Sequence, residues 1–300
     1  MKKKKSLLLL LSVFWVFQSY GYPDGSKKNS KTHTGDIEVE ELFYKGGEHY
    51  KISTEYVTWY LEKSSGGFSS VIDREGNDWV DWSDSGEDKF PESAAADYRG
   101  IPNMIHAAEI DNGAGHPGFV VVQKVEVLDE NTIQFTSESG KLIWSWHFFE
   151  NYARLDIEKL GEDQLYWILY EGPVGGQFKP SRAYWGTDKG MRRKIPDFLA
   201  GEIIEEEWQW IYFGDNEQQR VFFAAQRHPD HLPDIMGFLG ASRKGLTAED
   251  GMVVFGFGRS KETKALMNSR NIYYFGFYEQ NISDKKAYKA ISGFINKLIE

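Results

Sequence analysis

From Leu142 to Phe148 the chain alternates strictly, with Leu142, Trp144, Trp146 and Phe148 on one face and Ser145 and His147 on the other. A period of two is the repeat of a strand that buries one face, and it gives a helix no continuous apolar stripe. Runs of similar character occupy Tyr50–Leu61, Phe68–Asp73, Gly118–Leu128, Thr132–Ser137, Leu142–Phe149, Ala153–Leu160, Leu165–Tyr170, Glu207–Phe213, Arg220–Gln226, Met252–Gly258 and Ile272–Tyr278. Turn signals such as Glu75-Gly76-Asn77, Asp129-Glu130-Asn131, Gly161-Glu162-Asp163 and Gly214-Asp215-Asn216 punctuate them, as hairpins require. Only the last segment departs: Ser283 and Asp284 open a run in which Ile291, Ile295 and Leu298 share one helical stripe. No repeat of propeller length is present. The pattern predicts an all-β chain, a single large antiparallel β-sandwich over 37–300 that ends in a C-terminal helix.

Cysteine is absent, so stability must come from a core rather than from disulfides. The first residues, MKKKKSLLLLLSVFWVFQSYG, combine four lysines, an apolar run from Leu7 to Phe17 and a small-x-small site at Ser19-Tyr20-Gly21. The apolar run falls short of the ~20 residues of a spanning helix. These features predict a signal peptide over 1–21, a polar flexible linker over 22–36, and a secreted or periplasmic mature chain with no membrane insertion. Basic residues number 35 against 45 acidic, a formal charge of −10, and loss of Lys2 to Lys5 takes it to −14 because no acid precedes Tyr22. Such a field repels nucleic acid. The patch Lys189-Gly190-Met191-Arg192-Arg193-Lys194 reads as a solvated loop or as an attractor for an anionic glycan. Aromatic residues make up 15% of the chain; they supply core mass in sandwiches and also the platforms on which sugar rings stack.

The stretch GGFSSVIDREGNDWVDW, Gly66 to Trp82, resembles the start of galactose-mutarotase-like supersandwich domains, and His116-Pro117-Gly118 is similar to the His-Pro of mutarotase active sites. The paired histidine and late glutamate of mutarotases have no counterpart at matching spacing. The resemblance implies the supersandwich fold and a carbohydrate ligand. The whole also looks like the polysaccharide lyases and oligosaccharide dehydratases of marine bacterial polysaccharide-utilisation systems, which implies a uronic-acid glycan such as ulvan.

Asp97 to Phe119, DYRGIPNMIHAAEIDNGAGHPGF, breaks the strand pattern. Tyr98, Ile101, Pro102, Met104 and Ile105 would pin this loop to the sheet and leave Arg99, Asn103, His106 and His116 to be placed. A uronic acid loses its C5 proton once the adjacent carboxylate is neutralised, a base reaches C5 and an acid reaches the oxygen leaving C4. Arg99 and Asn103 suit the carboxylate, His106 or His116 the base, and Tyr98 or Tyr184 the acid. A second constellation, Glu171 before a Gly-rich turn and Lys179, Arg182, Tyr184, Trp185 and Asp188 after it, combines anion clamps with a stacking ring. Both are expected to converge on one substrate site for an acidic poly- or oligosaccharide. The run Arg227 to Asp234 offers nitrogen and oxygen ligands at no strong metal spacing, so neither metal nor cofactor is expected. Elimination, as lyase or dehydratase, leads. Hydrolysis by Glu171 and Asp188, or sugar binding without catalysis, are the alternatives.

Overall fold

The computed structural model describes residues 37–84, 96–177, 179, 181–194, 203–239 and 251–300; the expected leader (1–21) and linker (22–36) lie outside them. Strands β1 (Glu38–Tyr44), β2 (Gly47–Ser53), β3 (Val57–Glu62) and β4 (Phe68–Asp73) form a meander in that order. Strands β5 (Val122–Asp129), β6 (Thr132–Ser137), β7 (Ile143–Phe148) and β8 (Tyr152–Lys159) form a second meander. They join β10 (Ala183–Thr187), β11 (Gly190–Lys194), β13 (Trp210–Asp215), β14 (Val221–Gln226) and β17 (Ile272–Tyr278) in a nine-stranded sheet, β11-β10-β13-β14-β17-β8-β7-β6-β5. A third sheet runs β12-β15-β16-β9, from β9 (Ile168–Gly172), β12 (Ile203–Glu206), β15 (Asp234–Leu239) and β16 (Met252–Phe257). Every pairing within these sheets is antiparallel.

The two four-stranded sheets are joined by irregular backbone. Gly100 and Glu171 exchange both hydrogen bonds, at 2.9 and 3.0 Å, while the Pro102 and Met104 carbonyls accept from Leu169 and Trp167. On the other side, Phe68 donates to the Ile101 carbonyl at 2.7 Å, and the rest of the β4 edge is taken by 78–82, with Trp79 donating to Val71 and Trp82 to Ser69. The loop from Asp97 to Phe119 is thus the seam that makes one layer of two sheets, and its buried backbone is paired as a strand's would be. The Ile101–Pro102 peptide within it is cis.

This composite layer faces the nine-stranded sheet. Phe68 lies 4.4 Å from Trp146, Trp79 5.2 Å from Phe277, Tyr170 4.9 Å from Phe222 and Phe255 5.8 Å from Phe213, centroid to centroid. The indoles of Trp144 and Trp146 both donate to the Gly66 carbonyl across the interlayer space, at 3.2 and 3.0 Å. The fold is therefore the expected all-β antiparallel sandwich, and its C-terminal helix is present as α1 (Lys285–Ile299). Asp284 caps α1 by accepting from the Lys286 and Ala287 amides. Ala287, Ile291, Ile295 and Ile299 bury themselves on the outer face of the nine-stranded sheet against Trp210, Tyr212 and Phe223.

Three departures from the sequence pattern have simple causes. The run Tyr50–Leu61 is two strands, because the Thr54 hydroxyl accepts from the Tyr56 and Val57 amides and turns the chain. Strand β10 has no visible alternation since it is buried on both faces, by the core and by α1. Strand β1, Glu-Val-Glu-Glu-Leu-Phe-Tyr, is an edge strand largely exposed to water, so its apolar residues do not alternate with polar ones.

Gly67 marks the closest point of the seam. A β-carbon there would lie 2.1 Å from the Gly115 carbonyl oxygen, which is backbone and has nowhere to go. Gly67→Ala is expected to cost roughly 3 kcal/mol or more, read as a loss of Tm. Gly293→Ala, on the exposed face of α1 with nothing near its β-carbon, is expected to gain about 0.5–1 kcal/mol.

Candidate active site

Strand parity decides what reaches the outer face of the composite layer. Ile168 and Tyr170 enter the main core, so Trp167, Leu169 and Glu171 point the other way, beside Met252 and Val254 of β16. A cleft of about 280 Å³ lies over this face. Its floor is Trp167, Leu169, Glu171 and Met252; the seam loop contributes Tyr98, Asn103, Ile105, His106 and His116, and the turn after β16 contributes Arg259 and Thr263.

Arg259 is the cation of this cleft. Its guanidinium lies 5.0 Å from the Trp167 ring centroid, and among the described residues no carboxylate is within ion-pair distance of it. Its Nε is buried without a hydrogen-bond partner, and its remaining contact is a long one, 3.5 Å to the Thr263 hydroxyl. Gly258, at φ +65°, turns the chain there so that Arg259 follows the strand end directly. His106 also rests on Trp167, with ring centroids 6.1 Å apart and planes 26° from parallel. Trp167 is itself fixed, because its indole donates to the Asn103 carbonyl.

Asn103, in the left-handed region at φ 46°, donates through Nδ2 to the Tyr98 carbonyl at 3.2 Å and to Glu171 Oε2. Burial pushes the Glu171 carboxyl up to about 7, against the pull of Arg259 and the Asn103 hydrogen bond. Burial, and then Arg259, hold the His106 imidazole below its ordinary value. His116 is more deeply set. Burial brings it down to about 4, and its Nδ1 lies 2.8 Å from the Pro117 carbonyl, so that nitrogen carries the proton of the neutral ring. Tyr98 is half exposed at the mouth of the cleft.

Of the residues expected at the site, Tyr98, Asn103, His106, His116 and Glu171 are brought together and the others are not. Arg99 does not line the cleft. It is buried and spans Asp81, through its carbonyl at 3.1 Å and its carboxylate at 3.3 Å, and the Gly251 carbonyl at 3.2 Å, so it ties loops together. Tyr184 accepts from the Ile282 amide at 2.9 Å under α1, in a different core from the cleft. Trp185 is buried in the main core near Trp208. Arg182 is committed to Asp215 at 2.7 Å and to Glu217. Lys179 is exposed, and neither it nor Asp188 lines the cleft; Asp188 accepts from the Gln209 amide, so the pair Glu171 and Asp188 is not assembled for hydrolysis. In the run Arg227 to Asp234, the Asp234 carboxylate accepts from the Trp208 and Gly258 amides and His231 contacts Glu207, which are structural uses. The basic patch contains β11, an edge strand.

No family model matches the sequence, and no curated protein matches it. Among solved structures the chain is similar to a putative mutarotase from Salmonella typhimurium (9% identity, 81% of this chain and 94% of that one, TM-score 0.48). It is also similar to a putative aldose 1-epimerase from Escherichia coli K12 (10%, 81% and 100%, 0.42) and a heparan sulfate lyase from Pedobacter heparinus (11%, 83% and 36%, 0.37). The chemistry of the cleft rests on its own side chains.

Glu171 provides a test that needs no substrate. Folded, it keeps its proton to about pH 7; unfolded, it loses the proton near its ordinary value of 4.5. Stability is therefore full below 4.5, falls between 4.5 and 7 and is lowest above 7. Glu171→Gln keeps a neutral acceptor for Asn103, so it is expected to raise Tm by several degrees at pH 8 and to change it little at pH 4.

Proposed function

We propose that the cleft binds the uronic acid ring of a poly- or oligosaccharide and eliminates across its C4 and C5, so that the protein is a carbohydrate-active carbon–oxygen lyase. The observation that carries this reading is Arg259: a guanidinium set on an indole, with no carboxylate in ion-pair contact among the described residues, beside a carboxyl whose proton burial retains up to about pH 7. An anionic ring supplies the missing charge. Protonated Glu171, braced by Asn103, gives a second hydrogen bond to the substrate carboxylate, and together they withdraw charge as the C5 proton leaves.

His106 is the better placed of the two histidines for the base. It is accessible and unprotonated at neutral pH, whereas His116 is buried with Nδ1 spent on Pro117. The step balances simply. His106 takes the C5 proton, the C–H electron pair forms the C4–C5 double bond, the C4–O4 bond breaks, and the leaving oxygen takes the proton of the Tyr98 hydroxyl. The leaving oxygen belongs to the next sugar in a lyase and to water in a dehydratase.

Incubation with a panel of uronic-acid glycans, ulvan included, is expected to produce the ultraviolet absorbance of the unsaturated product. Arg259→Lys should lower kcat/KM by about tenfold or more, since an ammonium keeps the charge but lacks the planar fork. His106→Ala should cost ~10²-fold or more. Activity is expected to fall below the His106 pKa, itself under 6.5, and again above about 7 as Glu171 ionises. Glu171→Gln should remove the alkaline limb alone. New reducing ends without absorbance, abolished in Glu171→Gln, would replace elimination by hydrolysis.

Export belongs to the same proposal and rests on the lysine-rich start and leucine run. Mass spectrometry of the mature protein is expected to find a chain that begins after Gly21; an intact Met1 in the secreted fraction would overturn it.

A further inference from the structure

Beside the active-site cleft lies a larger one of about 570 Å³, and the two meet at His106 and Thr263, which line both. We infer that they form one elongated surface for a glycan in which a uronic ring is linked to an uncharged ring. The inference rests on the uronate reading of the smaller cleft.

The contrast between the clefts is electrostatic. The smaller sets Arg259 against a single carboxyl, Glu171, whose proton burial retains up to about pH 7, so it carries one cation and at most one anion. The larger sets Lys141 and Lys264 against Glu109 and Asp163, two charges of each sign, and none of the four forms an ion pair with a described residue. A second carboxylate ring there would face two carboxylates as well as two ammonium groups. An uncharged ring uses both signs, its hydroxyls donating to the acids and accepting from the lysines. Ile110 and Leu165, 46% and 49% exposed, are unusually open for aliphatic residues and give the ring's C–H face something to lie on. The volumes agree with this division: the smaller cleft is at the bottom of the range for ligand pockets, about the size for one ring, and the larger accepts more. His106, on the border, then lies at the linkage between the rings, next to the bond that elimination breaks.

Isothermal titration of the mature chain with three probes tests this: glucuronic acid, a hyaluronan tetrasaccharide that alternates glucuronate with an uncharged N-acetylhexosamine, and a galacturonate oligomer of equal length. The alternating tetrasaccharide is expected to bind at least tenfold more tightly than glucuronic acid, and the homopolymer no more tightly than glucuronic acid. Ala108→Trp, an exposed position in the larger cleft, and Leu165→Ser should each bring the tetrasaccharide towards the monosaccharide level and leave the monosaccharide unchanged. Glu109→Gln combined with Asp163→Asn should raise the affinity for the homopolymer several-fold. Equal binding of copolymer and homopolymer, or tetrasaccharide affinity untouched in both Ala108→Trp and Leu165→Ser, would overturn the inference while leaving the smaller cleft intact. Glucuronic acid binding that is the same in Arg259→Ala would instead remove the uronate reading itself, and the inference with it.

Discussion

A buried backbone must be hydrogen-bonded, and in this molecule that requirement falls hardest on β4 and β9, which meet inside a layer without pairing to each other. Residues 100–105 satisfy both. Their carbonyls and amides complete β9 at alternate positions, Ile101 completes Phe68, and the returning stretch 113–115 closes the remaining side through Asn103 and Met104. The geometry demands close approach at Gly67 and a left-handed residue at Asn103. The cleft follows from the same turn, because the conformation that lets Asn103 leave the ladder also places its amide on Glu171. The lining of the cleft and the continuity of the sheet are thus properties of one segment.

The arginines show how a fold separates structural from functional charge. Arg99 is enclosed by Asp81 and Gly251, Arg182 by Asp215 and Glu217, and Arg220, fully buried, by Asp73 at 3.2 Å and Glu75 at 2.8 Å. Each links segments distant in sequence, and at Arg99 and Arg220 removal of a partner would strand a buried charge. Arg259 instead has an aromatic face for support and, among the described residues, no such carboxylate. A cation–π contact holds a guanidinium in place without neutralising it, which leaves the charge available to a ligand.

The fold was legible wherever one face of a strand met water, as in β7 and β8, because exposure imposes the alternation. It faded in β10, where core on one side and α1 on the other make every position buried, whereas β13 and β14, buried in the same way, were still marked by their long apolar runs. The importance of the Asp97–Phe119 loop was also legible, since polar groups there are interleaved with apolar anchors. Which of its groups face a ligand was not. Arg99 and Asn103 are four residues apart and both buried, and only the backbone path sends one to Asp81 and the other to the cleft. Arg259 was missed although Gly256-Phe257-Gly258 announces a turn at a strand end. Trp167 lay within an expected strand, where parity with Leu169 and Glu171 marks its outward face. Tyr184, Trp185 and Arg182 were misplaced for a common reason: aromatic and cationic residues in a row serve a core and its rim as well as they serve a sugar.

The seam also has a consequence for how the chain comes to be folded. Each meander can form from neighbours in sequence, but residues 100–105 must meet β4 from one part of the chain and β9 from another to complete the layer. Non-local pairing of this kind comes late. Until it is made, β4 and β9 are two raw sheet edges, the kind that recruit strands from other molecules. The same residues that line the cleft thus cover two sheet edges, so a change that loosens the seam bares an edge as well as the site.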